Sequence, residues 1–187
     1  FVATLPDAHI DADAGGVSWT MKPYGFLDGK APGTVNPSLW RMSQLNAIHG
    51  LFKVADRVYQ VRGLDIANMT IVESDHGLIV TDALLSAETA KAAIELYYAH
   101  RPRRPIVAVV YSHSHVDHYG GVRGLVGDDD VRSGKVRLIA PDGFLHEAVS
   151  ENIVAGPAMG RRAQYQFGPL LATGERGQVD TGLGKNL

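Results

Sequence analysis

Seven consecutive residues hold most of the chemistry this sequence offers: Ser112-His113-Ser114-His115-Val116-Asp117-His118. They form an H-x-H-x-D-H pattern. In extended backbone, side chains alternate with a period of two, so His113 and His115 project to one side and both imidazoles can reach one metal ion. Asp117 and His118 follow where the chain is expected to turn into a helix, and there they can face a second ion. Gly120 and Gly121 permit the tight turn and close backbone approach that such a loop needs. Imidazole nitrogen and carboxylate oxygen are ligands that zinc takes in catalytic sites, where one position stays open for water. A bound ion lowers the pKa of that water from about 15.7 to about 7, and two ions roughly 3.5 to 4 Å apart can share a hydroxide. The implied chemistry is hydrolysis at two zinc ions, with His113, His115, Asp117 and His118 as ligands and Asp117 also as the candidate catalytic carboxylate. The competing readings are a chance surface cluster and a structural metal loop. Structural zinc sites favour cysteine, and the chain has none.

The loop must be held by elements on either side. Residues 105–111 are a β-branched apolar run, expected as a buried strand that delivers the chain to Ser112. Three earlier strands are expected at 57–62, 68–74 and 77–82, the last two joined by the turn residues Ser74-Asp75-His76-Gly77, which suggests an antiparallel meander. Asp82 ends the third of these. An acidic side chain there is awkward in a core, and a hydrogen bond that orients a metal ligand accounts for it; a turn or capping role is the alternative. Ser86 is a good N-cap for a helix in which Glu88 sits in the first turn and Ala90, Ile94 and Tyr97 recur at helical spacing. A short helix is expected to begin near Pro37, another near His118, then a strand at 135–140 and helices at 144–155 and 158–167, separated by Gly156-Pro157.

Other polar clusters carry weaker signals. Asp7, His9, Asp11 and Asp13 alternate and mimic ligands, but short acidic stretches are usually solvated. His49, His76 and His100 lie beside turns or helix ends, and His146 lies in a helix; all four are read as structural. Phe144, Leu145, Val149, Ile153 and Met159 give either core packing or one wall of an apolar groove. Arg161 and Arg162 suit a solvated helix face, with attraction of an anionic head group as the alternative.

Bulk properties bound the rest. The chain has 187 residues, a net charge of −2 and 45% hydrophobic content, enough for one sizeable core. No basic run favours nucleic acid or an anionic membrane as partner. Apolar runs such as 106–111 fall far short of the about 20 residues that cross a bilayer, so no membrane span is expected. The opening 16 residues lack the basic and apolar regions of a secretory signal and begin without Met, as a processed or trimmed end would. Residues 1–38, rich in Gly, Pro, Asp and Ala, are expected as an irregular N-terminal arm. The final 174–187 holds four glycines and no packing pattern. One domain of alternating strands and helices is expected, class α/β (α+β), with about five strands.

The strand-end Asp82 followed by His113-x-His115-x-Asp117-His118 resembles the signature of the metallo-β-lactamase superfamily, αβ/βα-sandwich hydrolases. Finer agreement resembles its alkylsulfatases, which degrade dodecyl sulfate and related detergents. It runs through Leu39-Trp40-Arg41, Gln44-Leu45-Asn46-Ala47-Ile48-His49-Gly50-Leu51-Phe52, Tyr59-Gln60-Val61-Arg62-Gly63, Asp65-Ile66-Ala67-Asn68-Met69-Thr70 and Glu88-Thr89-Ala90-Lys91-Ala92-Ala93. It continues through 112–124 and Ser150-Glu151-Asn152-Ile153. The resemblance implies zinc-dependent hydrolysis of linear or secondary alkyl sulfates, with two Zn2+ per site and either C–O or S–O cleavage. His113 and His115 would hold one ion, Asp117 and His118 the other. It also implies a homodimer, a periplasmic or secreted location with the cytoplasm as alternative, and further glutamate and histidine ligands beyond Leu187. On this reading residues 39–187 are the N-terminal portion of a metallo-β-lactamase-like catalytic domain, and the remainder of the same protein is the missing partner. A lactonase, thioesterase or β-lactamase, and an inactive binding fragment, are the competing functions.

Overall fold

The computed structural model describes residues 1–182, 184 and 185, apart from the side chain of Asp7. Its centre is a six-stranded sheet in the order β3-β4-β5-β6-β7-β8, formed by Gly50–Ala55, Val58–Arg62, Met69–Glu73, Leu78–Thr81, Ile106–Val110 and Arg137–Ile139. The first four strands pair antiparallel as a meander, and β6, β7 and β8 pair parallel. Alternation of side chains decides which face is buried. Tyr59, Val61, Met69, Ile71, Leu78 and Val80 point to one face and are at most 4% exposed, whereas Gln60, Thr70, Val72 and Ile79 between them are half-buried on the other.

The buried face is covered mainly by helix α2, Ala87–His100, which crosses over between β6 and β7. Its start follows from chemistry legible in the sequence. Ser86 accepts from the Thr89 amide and the Thr89 hydroxyl accepts from the Ser86 amide, a capping box that satisfies two helix-end donors. Ala90, Ala93, Ile94, Leu96 and Tyr97 are then buried against the sheet. Helix α1 covers Pro37–Asn46, with Asn36 accepting from the Ser38 amide and Pro37 at the first position.

Residues 1–38 are not an irregular arm throughout. They contain a hairpin of β1, His9–Asp11, and β2, Val17–Thr20, flanked by 3₁₀ turns at Pro6–Ala8 and Lys22–Tyr24. Ala8, Ile10, Trp19, Met21 and Tyr24 join the main core, and Trp19 Nε1 donates to the Gly63 carbonyl at 3.0 Å. Strands of three and four residues are too short for alternation to emerge from a Gly- and Asp-rich background. With β3, which also lacked a sequence signal, they bring the strands among the described residues to eight rather than about five.

After β7 the chain makes 3₁₀ turns at Val116–His118 and Val122–Gly124, then α3 at Asp128–Arg132. The expected helix at 144–155 is α4, Phe144–Val149, running into a π-helical turn at Ser150–Val154, and α5 spans Gly156–Phe167. The Gly-rich end is partly packed, contrary to expectation: Val179, Gln178 and Lys185 are buried, and Lys185 Nζ donates to Asp180 and to the Ser43 carbonyl. A buried ion pair has no periodicity to reveal it. Among the described residues no helix is long and apolar enough to cross a membrane.

Candidate metal centre

Strand β6 ends at Thr81, one residue before Asp82, and strand β7 ends at Val110, one residue before Tyr111. Because the two strands run parallel, Asp82 and Ser112 emerge at the same edge of the sheet, the edge where open α/β sheets place their ligand sites. The Asp82 carboxylate accepts three hydrogen bonds from the loop: from the Ser112 amide at 2.8 Å, from the Ser112 hydroxyl at 2.9 Å and from His118 Nδ1 at 2.8 Å. The last contact fixes the imidazole. With Nδ1–H donated to Asp82, the Nε2 lone pair of a neutral His118 is free to bind a cation.

His118 Nε2 lies 3.3 Å from Asp117 Oδ2. A lone-pair nitrogen and a carboxylate oxygen at that distance repel unless a proton or a cation shares the space between them. The ring of His113 is 4.0 Å from that of His118 and 4.5 Å from that of His115, centre to centre. Burial lowers the His113 pKa, and the neighbouring His118 and His115 lower it further, so the imidazole stays in the neutral form a metal requires. His115 is the most open, with a side chain 56% exposed, and its Nε2 meets Glu151 Oε1 at 3.1 Å.

These residues fit a metal in donor type, and the three imidazoles lie side by side. Among the described residues no group of three or more His, Asp or Glu closes on a single ion. Four donors divided between two ions would give two each, short of the three or four protein ligands usual for zinc.

The chain after the loop is pressed against residues 82–87. A Cβ at Gly121 would stand 2.3 Å from the carbonyl oxygens of Ala83 and Ser86, and one at Gly120 would stand 2.3 Å from that of Leu85. The Ala83 amide donates to the His118 carbonyl at 2.8 Å and the Gly121 amide to the Leu84 carbonyl at 2.9 Å. Asp82 and Leu84 are both left-handed, with φ of 63° and 62°. Such backbone costs about 1–3 kcal/mol per non-glycine residue and persists only where its surroundings impose it.

Glu151 was not singled out as a site residue. It reaches His115 from the π-helical turn, which is tied to the post-loop segment by an Asn152 Nδ2 to Tyr119 hydroxyl contact of 3.3 Å. No spacing rule links positions 115 and 151.

The remaining histidines stand apart from the cluster. His49 contacts the Ala47 carbonyl, His76 sits in the β5–β6 turn, His100 ends α2, and His146 is exposed beside Glu147. His9 pairs with Asp11 at 3.0 Å on the surface, the Asp13 amide donates to Glu88, and the side chain of Asp7 lies outside the described residues. Leu145 and Ile153 are 75% and 71% exposed rather than packed in a core, and Arg161 and Arg162 are also exposed.

The sequence of residues 62–184, which includes the aspartate after β6 and the histidine- and aspartate-rich loop after β7, matches the Metallo-beta-lactamase superfamily. The chain belongs to that superfamily. Its curated relatives include the alkyl/aryl-sulfatase BDS1 of Saccharomyces cerevisiae, 58% identical over 99% of this chain and 29% of the relative. A linear primary-alkylsulfatase of Pseudomonas sp. is 56% identical over 98% of this chain and 28% of its own length. The solved structure of the stereoselective inverting sec-alkylsulfatase Pisa1 from Pseudomonas sp. superposes on the whole chain with a TM-score of 0.92 and 56% identity, covering 29% of that protein. The chain thus spans under a third of the length of these relatives.

Proposed function

We propose that this chain carries the first metal-binding loop of a zinc-dependent alkylsulfatase, which hydrolyses an alkyl sulfate ester to alcohol and inorganic sulfate. The observation that carries this reading is 56–59% identity to three curated alkylsulfatases over 91–99% of the chain. That agreement extends far beyond the loop common to the whole superfamily.

His113 and His115 are assigned to one ion and Asp117 with His118 to the other. Asp82 keeps His118 in the tautomer that offers Nε2. Zinc bound there would supply a hydroxide at neutral pH and positive charge facing the sulfate. Two donors per ion are too few for a closed shell, so the other donors, and the group that protonates the leaving oxygen, are assigned to the length that the relatives have outside the matched region. Asp117 is accordingly proposed as a ligand that contributes to catalysis through the metal. Homodimer formation and a periplasmic or secreted location remain part of the proposal.

The inverting course of the Pseudomonas secondary-alkylsulfatase suggests attack at carbon. Water would then deliver its oxygen to the carbon, the C–O bond would break and the sulfate would leave with its original oxygens. Incubating the full chain with dodecyl sulfate or a secondary alkyl sulfate in heavy-oxygen water is expected to release inorganic sulfate in a zinc-dependent manner, with the label in the alcohol. Label in the sulfate would overturn the carbon-attack assignment. Absence of sulfate release together with turnover of lactones or thioesters would overturn the sulfatase reading.

A further inference from the structure

Asp65 lies outside the donor cluster, in the β4–β5 connection, yet at the same edge of the sheet. It is 2% exposed. Its Oδ2 accepts from the Thr89 hydroxyl at 2.6 Å and from the Leu85 amide at 3.0 Å, and its Oδ1 accepts from the Ala67 amide at 3.4 Å. One carboxylate therefore joins the β4–β5 loop, the turn that follows β6 and the first turn of α2.

The turn after β6 is where such an anchor matters. Asp82 and Leu84 hold left-handed φ values without being glycine, and the amides of Asp82, Ala83 and Leu85 are bonded to other segments rather than within the turn. It nonetheless carries hydrogen bonds that hold the donor loop and Gly121 just beyond it: the Asp82 carboxylate accepts from Ser112 and His118, the Ala83 amide donates to the His118 carbonyl, and the Gly121 amide donates to the Leu84 carbonyl. Asp65 grips the next residue, Leu85, through its amide. Burial pushes its carboxyl pKa up and the Thr89 and backbone hydrogen bonds oppose that, so neutral donors rather than a cation hold the group in place.

We propose that Asp65 is a positioning residue for the metal loop: by anchoring Leu85 and Thr89 it locks the left-handed turn at 82–84, and so sets where Asp82 meets His118. The loop's metal-binding role is taken from the proposed function. The mechanical part does not depend on it, and the experiment separates the two.

In the full chain, Asp65→Ala, the conservative Asp65→Asn and a control, Glu73→Gln, are compared by amide hydrogen exchange and by zinc affinity in competition with a chelator. Glu73 ends β5 at the opposite edge of the sheet. Asp65→Ala is expected to accelerate exchange selectively at Ala83 and Gly121 relative to the β4–β5 ladder, and to weaken zinc binding about tenfold, in the range of groups that orient ligands. Asp65→Asn, which keeps one acceptor oxygen, is expected to fall between wild type and Ala, and it decides the matter should the alanine variant not fold. Glu73→Gln is expected to lose protection without selectivity at those two amides and to keep its zinc affinity. Uniform exchange loss in the Asp65 variants, or unchanged exchange at Ala83 and Gly121, overturns the inference. A wild-type protein that takes up no zinc overturns the metal reading alone, since the exchange pattern still tests the anchor.

Discussion

At the residue scale, hydrogen bonds separate Asp82 from Glu151. Asp82 has a side chain only 13% exposed and receives three donors, so removing it strands the Ser112 amide, the Ser112 hydroxyl and His118 Nδ1. A stranded donor costs about 1–3 kcal/mol when buried, a penalty that falls mainly on His118 because Ser112 is exposed and water can replace its lost acceptor, and loss of a ligand-orienting group costs about 10–100-fold in metal affinity. Asp82→Ala is therefore expected to lower both the unfolding free energy and the zinc affinity, by chemical denaturation and chelator competition. Glu151 makes one contact to a histidine that is more than half exposed, and such pairs contribute about 0–1 kcal/mol. Glu151→Ala is expected to leave stability within about 0.5 kcal/mol of wild type; a loss as large as that of Asp82→Ala would show that the π-helical turn holds the loop. The four donors were legible because they sit within six residues of one chain segment. Asp65 and Glu151 were not, since their partners lie 20 to 36 positions away and the contacts exist only once strands and helix have assembled.

At the element scale, two packing devices hold the loop's frame. The first is the flush contact of Gly120 and Gly121 against the turn after β6. A methyl group at Gly121 would stand 2.3 Å from two carbonyl oxygens, closer than backbone can yield without moving the loop. Gly121→Ala is expected to cost about 1–3 kcal/mol, as overpacking does, and to reduce zinc uptake at the same time. The second is at the far edge of the sheet, where Glu73 accepts from the Tyr97 hydroxyl at 2.7 Å and pairs in two-pronged fashion with Arg101. This ties β5 to the last turn of α2. The Arg101 hydrogen bonds, with those of Tyr97, hold the Glu73 carboxyl below its ordinary value against the opposing effect of burial. A depressed folded-state pKa gives stability that is present above the unfolded value of 4.5 and lost as pH falls through the folded one. Wild type is thus expected to lose stability below about pH 4.5 more steeply than Glu73→Gln, while at pH 7 the variant is less stable by about 2 kcal/mol, the scale of charge-assisted hydrogen bonds. Parallel pH-dependent denaturation curves would refute the role given to the pair.

At the scale of the whole molecule, one face of the sheet is covered by α2 and the hairpin, whereas Gln60, Thr70, Val72 and Ile79 on the other stay half-buried among the described residues. Binding to the folded state alone stabilises by mass action, about 2.7 kcal/mol at a hundredfold excess over Kd. Zinc added to the metal-free full chain is accordingly expected to raise Tm by several degrees, and a chelator to reverse it. A Tm indifferent to both would mean that the loop's donors are not drawn together by metal.

The sequence by itself determined which histidines and aspartate cluster at 113–118, their spacing and the strand that presents them, because alternation and contiguity are local properties that survive in one dimension. It also determined the start of α2, through the N-cap Ser86, whose reciprocal bond with Thr89 the structure added. The tertiary structure alone decided which residues hold those donors in place. The parallel pairing of β6 with β7 brings Asp82 to His118 across 36 positions, and two glycines and a buried aspartate lock the strained turn between them. Such contacts depend on strand order and close packing, which no periodicity in the chain records. The His- and Asp-rich loop is legible as chemistry, and its geometry belongs to the fold.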